Sequence, residues 1–133
     1  MNSKKFLISW LAVFVTIFVV DMIFHGRILG EMYRQTANLW RPKEEMCQFM
    51  PWLTLGSILW SGAFSYLFLT GYQGRGVAAG IRYGVLISLL FVAHDAVMYA
   101  VAPYPPAVPC SWAIGNIIEF AIAGAVLGFI NKV

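Results

Sequence analysis

Four apolar runs, each long enough to cross a bilayer, limit this chain more than any other feature. They cover residues 6–25, 52–70, 81–102 and 111–130. A helix rising about 1.5 Å per residue needs about 20 residues to traverse a hydrocarbon core of about 30 Å. Inside lipid every backbone N–H and C=O must be satisfied within its own segment, so runs of this length read as helices. With their connections they use nearly all of the 133 residues, and the expectation is one all-α transmembrane domain over 1–133. Composition agrees. The chain is 60% hydrophobic and 11% charged, whereas a soluble domain carries about a quarter charged residues. A soluble globular fold and a disordered chain are both excluded. The net charge of +3 comes without a cationic arm, so the expected partner is the lipid bilayer and not nucleic acid.

Lys4 and Lys5 precede the first run, as in a secretory signal. The run is too long for an h-region, lacks a small-x-small cleavage site and continues into Asp21, His25 and Arg27. It therefore reads as a retained helix. Gly71 to Gly80 and Pro103 to Cys110 are short connections, and short connections join antiparallel neighbours. An up-down-up-down four-helix bundle follows as the expected fold. The first connection is longer. In it Ile28, Leu29, Met32, Tyr33, Thr36, Leu39 and Trp40 recur at helical spacing, opposite Arg27, Glu31, Arg34, Gln35 and Asn38. This pattern suits a short interfacial helix between helices 1 and 2, with a loop folded over the bundle mouth as the alternative. Pro42 followed by Lys43, Glu44 and Glu45 reads as a fresh helix start.

Small residues recur every fourth position: Ser57, Ser61 and Ser65, then Gly76, Gly80, Gly84 and Ser88, then Gly124 and Gly128. Such stripes let helix backbones approach closely, within one chain or as the seam of a homo-oligomer or larger membrane complex. Trp40, Trp52, Tyr72, Tyr104 and Trp112 near the span ends read as interfacial belts. With the N-terminus inside, five Lys and Arg residues (4, 5, 75, 82, 132) face the cytoplasm and four (27, 34, 41, 43) face outward, which favours both termini cytoplasmic. On that topology Cys47 and Cys110 face the oxidising side, and a disulfide between them is open.

The chemistry lies in the ionisable residues inside the runs. Asp21, His94, Asp95 and Glu119 sit at membrane depth, where a charge is expensive and by default marks a function. Counted from the outer ends, Asp21, His94, Asp95 and Glu119 come to one half of the bundle, with Asn116 on the face of Glu119 and His25 a turn above Asp21. Three uses are open: a proton or cation site, a transition-metal site of His94, Asp95, Glu119 and Asp21, or a hydrogen-bonded network that fixes helix register. The two histidines differ in depth, which speaks against a bis-histidine haem. No phosphate loop or nucleophile motif is present, so enzyme chemistry has only the metal route. The expected role is a binding or accessory membrane subunit, with a metal-dependent enzyme or a proton- or cation-coupled carrier as the alternative.

The stretch His25-Gly26-Arg27-Ile28-Leu29, with Tyr33, Leu39-Trp40-Arg41-Pro42 and Arg82-Tyr83-Gly84, resembles small four-helix bacterial inner-membrane proteins. The resemblance implies a fold and an inner-membrane address, and no activity.

Overall fold

A computed structural model describes residues 2–72 and 75–132, and these are all helix and short connection. The order is α1 (Ser3–Ile23), a π-helical turn (Phe24–Ile28), α2 (Gly30–Gln35), a 3₁₀ turn (Ala37–Leu39), α3 (Lys43–Gly71), α4 (Gly76–Val101) and α5 (Ala107–Ile130). Four helices are long and apolar enough to cross a membrane: α1 with its π turn, α3, α4 and α5.

Three of the four expected runs lie inside these helices, and the run 81–102 overruns α4 by Ala102, its extended C-cap; the helices otherwise reach further. α3 begins at Lys43, because Pro42 is pre-set for a helix start and Glu44 and Glu45 meet the positive end of the helix dipole. α5 takes Pro109 into its first turn, where a missing N–H loses no bond. The glycine-rich turn between α3 and α4 shrinks to 72–75, of which 73 and 74 lie outside the described residues. Gly76 opens α4 with φ +75°, a conformation that favours glycine.

The glycine stripes meet each other. Gly80 of α4 lies on Gly124 of α5, Gly84 on the Phe120 carbonyl, and Gly76 on Gly128, so the two helices run in opposite directions at backbone contact. This is the closest helix pair in the protein. α1 packs on both α3 and α5. The Trp10 indole N–H of α1 reaches the Ile58 carbonyl (3.0 Å) and Ser61 Oγ (3.1 Å) of α3. Gly62 leaves room for that ring. Ser9 and Asn131 are fully buried and hydrogen-bonded to each other at the opposite end of α1 from the π turn. Against α4 and α5, α3 presents rings instead of backbone. Trp60 stacks on Phe120 and Phe64 meets it edge-on, Phe64 and Phe68 pack on Tyr83, and the Tyr83 hydroxyl donates to the Phe64 carbonyl at 2.6 Å. With Val13, Ile17, Leu69, Ala123 and Leu127 these rings form the buried core.

The first connection lies over one end of this assembly. Leu29 and Thr36 are buried and Met32, Tyr33, Leu39 and Trp40 partly so, while Arg27, Glu31, Arg34, Gln35 and Asn38 are exposed. The two-faced pattern is present with one departure, Ile28, which is exposed at the end of the π turn. Trp40 stacks on Tyr104 (5.4 Å between centroids) and meets Trp112 edge-on, so these rings gather over the end of the bundle. Trp52, by contrast, is exposed and remains apart from them.

Candidate functional site

The π turn at the end of α1 positions the first polar groups. A π turn accommodates one residue more than an α turn, closing here through the Leu29 N–H to the Phe24 carbonyl at 2.9 Å, and such turns are frequent at functional sites. It sets the Phe24 ring against Gly115 of α5, where any Cβ would overlap the ring. Asp21 and His25 remain one turn apart, with Nε2 of the imidazole 3.6 Å from Asp21 Oδ1.

Across from α1, Glu119 is 6% exposed and Asp95 8%. The Asp21 carboxyl is a neighbour of Glu119, and among the described residues no N–H or O–H donor is directed at the buried Glu119 Oε1. Asp95 Oδ2 accepts from Asn116 Nδ2 at 2.8 Å. Phe24, His25, Phe91, Asp95, Trp112, Gly115, Asn116 and Glu119 line a half-open cavity of about 180 Å³.

A second set of bonds leads outward. His25 Nδ1 is 2.6 Å from the Tyr33 hydroxyl, which accepts the Trp112 indole N–H at 2.8 Å. Indole only donates, so the Tyr33 oxygen is an acceptor there and its own proton is free for His25 Nδ1. A neutral imidazole then carries its proton on Nε2, toward Asp21. A protonated imidazole donates on both sides without moving. Tyr33 is pushed above the ordinary tyrosine value first by burial. The Trp112 hydrogen bond opposes the rise and the Asp21 charge adds to it. Glu119, Asp21, His25, Tyr33 and Trp112 thus form a row of neighbouring polar groups between the cavity and the aromatic end of the bundle.

No known protein family matches this chain, and neither a curated protein nor a solved structure matches it.

Most of the expected site residues come together. Asp21, His25, Asp95, Asn116 and Glu119 sit on or beside the one cavity. His94 does not join them. It is exposed on the outer side of α4, because successive helical residues point about 100° apart and the face that buries Asp95 turns its neighbour out. The expected metal set of His94, Asp95, Glu119 and Asp21 is accordingly not assembled. Among the described residues no three His, Cys, Asp or Glu side chains converge to hold a metal ion. The Cys47–Cys110 bridge that the sequence leaves open is not formed either. Both are exposed free thiols, on helices that meet through core rings and not through close backbone approach. Sequence reasoning missed Tyr33 and Trp112 as site residues, since each fits equally well as apolar filling at a span end. Their polar tips, one donor-only and one donor and acceptor, were the available signal.

Proposed function

We propose that this protein is a multi-pass membrane carrier that takes up a proton, linked to a cation, in the polar chamber at one end of its bundle. One observation carries the reading: a buried Glu119 carboxyl oxygen without a donor, beside a second carboxyl, on a cavity. Two neighbouring carboxylates in a low-dielectric bundle need a proton shared between them or a cation against them. A purely structural network has no such need, because register is fixed as well by neutral hydrogen-bonded groups. The same observation favours a carrier over an accessory subunit, whose role asks only for outward packing surfaces.

Four spans that alternate in direction, with α2 lying in the interface at the outer mouth, fit this role. The pairwise contacts of α1, α3, α4 and α5 and the two-faced connection support that arrangement. Lys4 and Lys5 beside α1 support cytoplasmic termini. The resemblance to small bacterial inner-membrane proteins supports the address. The His25–Tyr33 contact supplies the outer end of a proton path.

Infrared difference spectra of the protein in nanodiscs, recorded between two pH values in the physiological range, test the reading. A carboxyl C=O band should appear in the wild type and vanish in Glu119→Gln, with circular dichroism unchanged. A wild-type spectrum without such a band, or one that Glu119→Gln and Asp21→Asn both leave intact, would overturn it.

A further inference from the structure

We infer that the chamber binds a small organic ammonium ion, an inference that rests on the proposed proton- and cation-linked site and names its ligand. Size comes first. An apolar cavity of about 150 Å³ admits a benzene-sized body, so about 180 Å³ exceeds what a proton or a single water requires. The lining decides the chemistry. Phe24, Phe91 and Trp112 contribute ring surface, and Glu119 and Asp95 contribute buried carboxyls. Ring faces attract cations through their quadrupole, most strongly when the cation is desolvated. Glu119 Oε1 lacks a donor, and an ammonium brings N–H donors together with positive charge. An anion is excluded by Asp21, Asp95 and Glu119 around one imidazole. A hard metal ion demands a shell of about six or more oxygens, and much of this wall is aromatic carbon. An alkyl chain attached to the ammonium fits against those rings, where a bare ion leaves them unused.

The ammonium group has two sources, a free amine or the headgroup of an ethanolamine lipid. Isothermal titration of n-butylammonium into the full chain, held in nanodiscs of choline lipid, reads the binding, with Trp112 emission as a second signal. Saturable binding is expected, weakened at least tenfold in Glu119→Gln and also in Asp95→Asn, with n-butanol bound at least tenfold more weakly. If nanodiscs containing ethanolamine lipid abolish the titration, the headgroup is the ligand. If they leave it unchanged, the free amine is. Equal binding of butanol, full competition by Na⁺ or K⁺, or no saturable binding of butylammonium would overturn the inference. Should the pH-dependent carboxyl band persist while butylammonium fails to bind, the ammonium ligand falls and the proton-linked site stands. Loss of both removes both.

Discussion

A single methyl group on the α4–α5 seam tests how the bundle is held together. In Gly80→Ala the new Cβ would overlap the Gly124 carbonyl oxygen and lie 2.8 Å from its carbon and 3.1 Å from Gly128 N. Carbon atoms pack at about 3.5–4.0 Å, so the two helices must part by roughly 1 Å. The obstacle is backbone, which cannot rotate away as a side chain does. Overpacking of this kind costs about 1–3 kcal/mol. Parting the pair also weakens the contacts at Gly84 and Gly76 on either side, at about 0.5–1 kcal/mol each. Alanine returns up to about 1 kcal/mol in helix propensity. The net loss is then roughly 1–4 kcal/mol. Gly56, in α3, has nothing within 4 Å of a built Cβ. Gly56→Ala therefore keeps the propensity gain and should be neutral to about 1 kcal/mol more stable. Reversible unfolding in mixed micelles with increasing sodium dodecyl sulfate, followed by tryptophan emission, measures both variants against the parent. Equal stabilities for the two, or a Gly80→Ala protein as stable as the parent, would show that the seam is not a close backbone contact.

The same end of the bundle carries a comparable test. Asn131→Ala strips Ser9 of its partner in a fully buried place, and the same unfolding assay should register a loss of about 1–3 kcal/mol. Tyr33 holds its proton more tightly when folded, so its contribution to stability is complete below its unfolded value of about 10 and is lost as pH rises through the folded value. Ultraviolet titration of the wild type minus Tyr33→Phe should place this hydroxyl above pH 10 when folded, and an ordinary value would contradict the buried path. Cys47 and Cys110 should both react with maleimide in denaturant without a reductant, since a bridged pair would need one. In a Cys110→Ser variant expressed in intact bacterial cells, an impermeant maleimide should reach Cys47 from outside. Reaction only after the membrane is opened, at a site shown to be reactive, would reverse the proposed orientation.

The helices were legible because lipid removes every alternative for a long apolar run, so Phe6, Ile81 and Ser111 mark segments that could be little else. Helix ends were less legible, since hydropathy counts side chains while a helix is ended by backbone chemistry. Lys43 to Met50 are not an apolar run, yet they extend α3 because Pro42 starts it, and the helix continues through Pro51, which removes one backbone donor without ending it. Asp21, Asp95, Asn116 and Glu119 could be assigned to one face each by helical period, and the structure gathers them. His94 went astray because adjacency in sequence is not adjacency on a helix. The outward path through Tyr33 depends on the π turn at Phe24–Ile28. That turn shifts everything after it around the axis, and 3.6-residue counting has no means of seeing it.

The dependence of α1 on α5 has a consequence for biogenesis. Synthesis delivers α1 first and α5 last among the described helices, yet Asp21 meets Glu119, and Phe24 meets Gly115, only when α5 is in place. In the interval α3 can receive Trp10 through Ser61 and Ile58, but none of its described residues bonds to Asp21. A carboxyl left facing lipid is strongly disfavoured. The first helix is therefore the one that must stay loosely placed during insertion, close to the aqueous edge through Asp21 and His25, until the α4–α5 hairpin arrives as a closed pair. The ionisable residues that equip the chamber thus also decide which helix is the last to settle.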